Sequence, residues 1–141
     1  MEITYKENIL TPDDIILFQR KMGWREDSTE LLARSLAHTI YSLCAVDGGE
    51  IVGMGRLVGD GAIYWYIEEV FVLTQYQGQG IGTEIVRRLV EYVKNNAIPG
   101  SEYSIYLFAA KGKEGFYERL GFKRRPHDYE GAGMEIEGPI V

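Results

Sequence analysis

The sequence of 141 residues predicts a single α+β domain, in which a mixed and mostly antiparallel sheet is flanked by helices. Two observations carry this prediction. Within residues 41–73, runs rich in β-branched and aromatic residues are separated by DGG and GDG, which is typical of antiparallel strands joined by tight turns. After them, a helical pattern over residues 80–95 precedes a further strand, and such a crossover makes its two strands parallel.

Two helices are expected near the N-terminus. The first begins at Thr11, because a hydroxyl cap is followed there by proline and two aspartates, and it stops at Gly23. The second begins near Asp27 or Ser28 and runs to about His38, as its leucines recur at helical spacing.

The same patterns define the rest of the chain. Strands are rich in β-branched and aromatic residues, whereas the long helix has apolar residues three and four positions apart. The elements expected are strands over 41–46, 50–58 and 62–73, a helix over 80–95, a strand over 103–110, a short helix over 113–120 and a last strand over 133–137.

Composition and charge argue against several functions. The net charge of -6 gives no reason to expect nucleic-acid binding. The single cysteine, Cys44, permits no intramolecular disulfide, and the two histidines lack ligand spacing, so we expect no metal site. Without a signal-peptide pattern or a membrane-length apolar run, we expect a cytoplasmic protein with no membrane partner.

The stretch QYQGQGIGTEIVRRL, residues 75–89, places Gly78, Gly80 and Gly82 at the entrance of the long helix. Each glycine inside a helix costs roughly 1 kcal/mol relative to alanine, so this pattern needs a reason. A helix N-terminus offers unpaired amides and a positive dipole end, and glycines let an anion approach them closely. The stretch therefore predicts a pyrophosphate site.

Other glycine-rich sites fit this stretch poorly. A dinucleotide-binding turn needs a third glycine where the chain has Thr83 or Ile85. A P-loop needs lysine where Gly82 precedes Thr83. A turn that serves only tight packing stays open as an alternative.

Two motifs about 40 residues apart together resemble the GNAT superfamily of N-acetyltransferases. Gln77, Gly80 and Gly82 fit its acetyl-CoA motif Q/R-x-x-G-x-G/A, and FYERLGF, residues 116–122, is similar to its second hallmark. GRLVGDG, VLTQYQGQGIG and GFKRRP are further similar to small bacterial members related to plant plastid arylalkylamine acetyltransferases. The resemblance implies a GNAT fold over 1–141, with the parallel strand pair at the centre of the sheet.

The resemblance implies acetyl-CoA as co-substrate, with no metal. The pantetheine arm would lie along the strand before the glycines, bonding the main chain of Phe71 and Val72. The pyrophosphate would be bound by the amides of Gln77, Gly78, Gln79, Gly80, Ile81, Gly82 and Thr83. Many members also carry an asparagine where this chain has Ala110, so contacts on that side differ.

Amine acetylation requires a base, because an alkylamine with a pKa of roughly 10 is protonated at neutral pH. Glu68 and Glu69 are the candidates, and strand alternation predicts that they lie on opposite faces, so that only one faces the acceptor. A solvated pair is the alternative. By motif, Tyr117 matches the tyrosine that contacts the cofactor and protonates the departing thiolate; the alternative is a core aromatic residue.

Four aromatic residues are candidates to line the acceptor pocket that the resemblance implies: Trp24, Tyr64, Trp65 and Tyr66. The alternative is that they belong to the core. The function expected is acetyl transfer to a primary amine of a small molecule, by direct attack in a ternary complex. A protein lysine or N-terminal amine as acceptor, a non-catalytic acyl-CoA-binding module and a homodimer stay open. The sequence does not identify the amine.

Overall fold

The computed structural model describes residues 2–140. The chain has two compact units, Met1–Leu107 and Phe108–Val141. The single domain over 1–141 stays a prediction. The first unit contains β1 (Thr4–Glu7), α1 (Pro12–Met22), α2 (Thr29–Ala37), β2 (Tyr41–Asp47), β3 (Glu50–Gly59), β4 (Tyr64–Val72), α3 (Ile81–Asn96) and β5 (Ser104–Tyr106). The second contains α4 (Glu114–Arg119).

The five strands form one sheet in the order β1-β2-β3-β4-β5. The first four are antiparallel neighbours, whereas β4 and β5 are parallel, which confirms the predicted mixed sheet. The parallel pair lies at one end of this sheet rather than at its centre, because the described chain has no strand beyond β5. Strand β1 was not predicted, because its sequence TYKE is short and polar.

The prediction of a last strand over residues 133–137 is wrong. These residues have no regular secondary structure and their side chains are exposed. Their alternation of apolar and acidic residues suits a strand, but alternation alone does not supply the neighbouring backbone that a strand must bond.

The ends of the first two helices follow local chemistry, as predicted. The Thr11 hydroxyl accepts from the Asp14 amide in a capping box, and α1 stops at Gly23, whose φ is 73°. Helix α2 begins at Ser28, whose hydroxyl accepts from the Leu31 amide. None of the helices in residues 2–140 is long and apolar enough to cross a membrane.

Helix α3 covers one face of the sheet, and α1 packs against β3 from the other. A Cβ at Gly55 in β3 would lie 2.7 Å from Cγ2 of Ile85 and 3.0 Å from Cδ1 of Leu89. A side chain there is therefore excluded by the helix. The core beneath α3 includes the buried residues Leu57, Trp65, Ile67, Ile81, Ile85, Val86, Leu89 and Val93.

Replacing Gly55 with alanine is expected to lower the free energy of unfolding by about 1–3 kcal/mol, because α3 must move away from β3. Chemical denaturation measures the change. Gly115→Ala in α4 is the matched control, since its Cβ would meet only Arg119 Nη1, at 3.5 Å. The control should not destabilise the protein, and equal stability of the two variants would contradict the tight contact at Gly55.

In the second unit, α4 presents Tyr117 between two aromatic rings. Its ring centroid lies 4.9 Å from that of Phe116 and 5.9 Å from that of Phe122, both in edge-on geometry. Such pairs are a favoured aromatic arrangement. The motif FYERLGF therefore forms a small aromatic cluster around a half-buried tyrosine.

Candidate active site

The glycine stretch forms a turn that opens α3. After a single 3-10 turn over Thr74–Tyr76, Gly78 and Gly80 adopt φ values of 77° and 84°, which L side chains rarely accept. A Cβ at either glycine would meet nothing within 4 Å. Tight packing therefore does not explain these two glycines, whereas backbone conformation and open access do.

The first turn of α3 has unsatisfied amides. The first bond of the helix runs from the Glu84 amide to the Gly80 carbonyl, at 3.0 Å, and no side chain caps the N-terminus. The N–H groups of Ile81, Gly82 and Thr83 therefore lack intrahelical acceptors. Together with the helix dipole they form a cradle suited to a phosphate group.

Gln77 supports the turn with both of its nitrogens. Its main-chain amide donates to the Thr74 carbonyl at 3.3 Å, and its side-chain Nε2 donates to the Val72 carbonyl at 2.9 Å. Its amide is therefore already used within the protein. Gln79, by contrast, lies exposed between the two left-handed glycines.

Strand β4 leaves part of one edge open. Strand β5 pairs with Tyr64–Tyr66 only, so from Ile67 to Val72 the edge away from β3 carries no strand within residues 2–140. The Leu73 amide bonds the Val52 carbonyl of β3. Because successive residues of a strand direct their N–H and C=O groups to opposite edges, Val72 faces the open edge and Phe71 faces β3. Since the Val72 carbonyl already accepts from Gln77, this geometry leaves the Val72 N–H to bond an added strand.

A β-bulge changes the predicted arrangement of the two glutamates. Met54 pairs with Phe71, but Arg56 pairs with Glu68, so β4 holds one extra residue between these pairs. Glu69 lies in this bulge with a φ of 55°. Its Oε2 accepts from Arg56 Nε at 2.8 Å, while Glu68 shares a face with Arg56 through its register. The prediction that alternation separates the two carboxylates is therefore wrong.

Arg56 is a residue of the candidate site that the sequence did not predict. It is buried, and its Nη1 donates to Ser35 Oγ at 2.9 Å and to Thr39 Oγ1 at 3.0 Å. The charge of Arg56 is thus compensated by Glu69. Its guanidinium also donates to Ser35 in α2 and to Thr39 just after that helix. An arginine within the apolar run EIVGMGRLV was the available signal, because a buried charge requires a partner.

Glu68 remains the freer carboxylate of the two. Burial raises its pKa above the ordinary range, and the neighbouring charge of Glu69 raises it further, against a smaller lowering by Arg56. Such a carboxylate releases a bound proton closer to neutral pH than a solvated one. The environment therefore suits Glu68 to proton transfer, and Glu69 to an ion pair.

Aromatic side chains surround this region. The Trp24 ring meets the Phe71 ring edge-on at 4.6 Å and remains partly exposed. Tyr66 lies on the face of β4 that also carries Glu68. Its ring centroid is 5.2 Å from that of Tyr106 in β5. Trp65 is fully buried and belongs to the core. Of the aromatic candidates, it is the one that the structure removes from any pocket.

Tyr117 lies in α4 of the second unit. Burial raises the pKa of its phenol, so the hydroxyl is protonated at neutral pH and can act as a proton donor. The aromatic rings on either side hold its side chain in place.

Nucleophilic catalysis by Cys44 is disfavoured by its surroundings. The residue is fully buried in β2, and burial raises the pKa of its thiol to about 12, so the reactive thiolate is absent at neutral pH. Within residues 2–140, no group of three or more His, Cys, Asp or Glu side chains could hold a metal ion.

Comparisons with known proteins agree with this fold. The profile of the Acetyltransferase (GNAT) family matches residues 7–122. The chloroplastic GCN5-related N-acetyltransferase 2 of Arabidopsis thaliana is 35% identical over 131 residues, covering 79% of this chain and 49% of that protein. A Staphylococcus aureus protein of unknown function has a crystal structure with a TM-score of 0.82 and 26% identity, covering 97% of this chain and 100% of that one. The chain therefore belongs to the GNAT acetyltransferase family.

Two further relatives differ in the acceptor that their names state. Histone acetyltransferase TAP1 of Glycine max is 30% identical over 122 residues, which cover 79% of this chain and 51% of that protein. The chloroplastic serotonin N-acetyltransferase 2 of Oryza sativa is 28% identical over 115 residues, which cover 79% and 56%. This chain thus spans about half the length of these curated relatives. Membership of the family leaves the acceptor undecided.

Proposed function

We propose that this protein transfers the acetyl group of acetyl-CoA to the primary amine of a small molecule, by direct attack in a ternary complex. The observation that carries the proposal is the single segment from β4 to α3. It joins a half-buried glutamate, Glu68, to an uncapped helix start that is lined by open glycines. A base and an anion cradle on one continuous segment are what acetyl transfer from a pyrophosphate-bearing thioester requires.

Each part of the segment has a separate role in this proposal. The amides that follow Gly78 hold the pyrophosphate, and the open edge at Val72 binds the pantetheine arm as an added strand would. Acetyl-CoA supplies, when bound, a thioester that a neutral amine can attack. Glu68 takes the proton from the ammonium group, directly or through water, while Glu69 holds Arg56 and the bulge. Outside this segment, the motif FYERLGF is the basis for proposing that Tyr117 holds a proton at Oη for the departing sulfur.

A small-molecule acceptor is favoured by the aromatic side chains near Glu68. The partly exposed rings of Tyr64 and Tyr66 lie on its face of β4, with Tyr106 beside them. Aromatic rings of this kind suit a compact amine with an apolar body and a cationic end. The rice relative named for serotonin supports this choice, and the soybean relative named for histones supports the alternative of a protein amine.

A thiol-release assay tests the proposal. Purified protein is incubated with acetyl-CoA and either a panel of small primary amines or a lysine-containing histone peptide, and free CoA thiol is measured. We expect turnover with a small amine that exceeds turnover with the peptide. The reverse preference would assign a protein acceptor. Binding of acetyl-CoA without thiol release from any amine would indicate a non-catalytic acyl-CoA-binding module.

Tyr117→Phe separates the role of the hydroxyl from that of the ring. The variant keeps the aromatic contacts to Phe116 and Phe122 but lacks the proton. We expect kcat to fall by about 100-fold, as is typical for loss of a general acid, with little change in acetyl-CoA affinity. Steady-state kinetics and calorimetry measure the two quantities. Undiminished turnover would remove Tyr117 from the proposed mechanism.

A further inference from the structure

Residues 74–80 connect β4 to α3 and carry the glycine turn of the anion cradle. The segment is fixed at both ends by buried side chains, Leu73 before it and Ile81 after it. Between them, every residue is exposed except Tyr76, which is half-buried. Since the two left-handed glycines have no neighbour within 4 Å of their Cβ positions, the turn itself is not held by packing on that side.

Tyr76 bonds this segment to a distant part of the chain. Its hydroxyl donates to Oδ2 of Asp47, the last residue of β2, at 2.8 Å. The bond to a carboxylate raises the pKa of the Tyr76 phenol above its usual value, so the hydroxyl stays protonated and remains the donor. Within residues 2–140, a second bond from the segment to a distant element runs from Thr74 Oγ1 to Met22 Sδ, at 3.9 Å. A thioether is a weak acceptor, so the bond to Asp47 is the stronger of the two.

Asp47 lies at a well-anchored point of the sheet. It pairs with Glu50 across the tight turn between β2 and β3, and both glycines of that turn have positive φ values, as a two-residue hairpin turn requires. Glu50 in turn accepts from Lys21 Nζ of α1 at 2.5 Å. The tip of the hairpin is thus joined to α1 as well as to the sheet, and Asp47 is a fixed acceptor for the Tyr76 hydroxyl.

We propose that Tyr76 and Asp47 are positioning residues for acetyl-CoA, because their bond holds the glycine turn in the conformation that binds the pyrophosphate. This role rests on the proposed function, since it concerns the cofactor site. Neither side chain needs to contact the cofactor, because the bond ties the turn to the hairpin before the ligand arrives. A turn held in this way loses less conformational freedom on binding, so the cofactor binds more tightly.

Tyr76→Phe removes the hydroxyl and keeps the ring. We expect the dissociation constant and the KM for acetyl-CoA to rise by about 10-fold, as for loss of one hydrogen bond to a charged group, with kcat at saturating acetyl-CoA unchanged. Calorimetry and steady-state kinetics measure these quantities. Tyr5→Phe is the matched control, because Tyr5 is also half-buried and its ring centroid lies 4.3 Å from Arg88 Cζ. The control should bind acetyl-CoA as the native chain does, and unchanged affinity in Tyr76→Phe would overturn the proposal.

S-acetylpantetheine separates positioning of the turn from a general loss of structure. This compound carries the thioester but no phosphate, so it uses the open edge of β4 and not the cradle. Nuclear magnetic resonance titration measures its binding to the native chain and to Tyr76→Phe. We expect the substitution to weaken binding of acetyl-CoA and to leave binding of S-acetylpantetheine unchanged. Equal weakening of both ligands would show that the bond supports β4 as a whole, which contradicts a role in positioning the cradle.

A double-mutant cycle tests whether the two residues act through their bond. Asp47→Ala should weaken acetyl-CoA binding about as much as Tyr76→Phe does, and the double variant should lose no more than either single variant. Effects that multiply in the double variant would refute the bond as their cause. A native chain that binds acetyl-CoA but releases no thiol would remove the proposed acetyl transfer and leave the positioning role in place. A native chain that does not bind acetyl-CoA would refute both.

Discussion

Gly80→Asp is expected to abolish acetyl-CoA binding while leaving the protein folded. Gly80 is the N-cap of α3, with open space around its Cβ position. An aspartate there places its carboxylate beside the free amides of the first turn, where it competes for them and repels the pyrophosphate. Loss of charge-assisted hydrogen bonds together with this repulsion should weaken binding by about 100-fold or more, as measured by calorimetry.

Gly100→Asp is the matched control for this substitution. Gly100 has a φ of 86°, close to the 84° of Gly80, and open space around its own Cβ position. Aspartate at either position therefore costs similar backbone strain, roughly 1–2 kcal/mol. Only the Gly80 variant should lose acetyl-CoA affinity, and its loss of thermal stability should not exceed that of Gly100→Asp, because its carboxylate can bond the free amides of α3. Unchanged affinity in Gly80→Asp would rule out the anion cradle at α3.

Glu68→Gln is expected to remove most of the activity without unfolding the protein. Glutamine keeps the size of the side chain but cannot accept the proton of the ammonium group. A general base contributes typically 10²–10⁴-fold, so kcat should fall by at least about 100-fold. Because Glu68 has no bonded partner in the described structure, its loss should leave the melting temperature near that of the native chain. Full activity of this variant would exclude Glu68 as the base.

Glu69→Gln should lower the stability of the protein while leaving the base, Glu68, in place. It leaves Arg56 buried without a counter-charge, and breaking such a pair costs about 3 kcal/mol of stability.

In the native chain, kcat should fall as pH falls through the raised pKa of Glu68, because the base must be ionised. Removing the charge of Glu69 removes one cause of that raised pKa. In the Glu69→Gln variant, the fall of kcat at acid pH should therefore occur at lower pH. A fall that stays at the same pH would contradict proton transfer by Glu68.

Local chemistry made much of this protein predictable. The cap at Thr11, the stop at Gly23 and the turns between strands are decided by residues a few positions apart, and each was predicted correctly. The left-handed glycines at the start of α3 are likewise a local feature, set by residues a few positions apart. The strand at 133–137 was predicted from alternation and does not form, since a strand also depends on an edge that the sequence does not specify.

The sequence by itself determined the elements from α1 to α4, the helix ends and the glycine turn before α3, because each depends on neighbouring residues. Only the tertiary structure decided which carboxylate is free. The extra residue in β4, the left-handed Glu69 and its bond to Arg56 all follow from the register between β3 and β4. Register is set by long-range pairing and by burial on both faces of the sheet, so no local pattern in IEEVFV could separate Glu68 from Glu69.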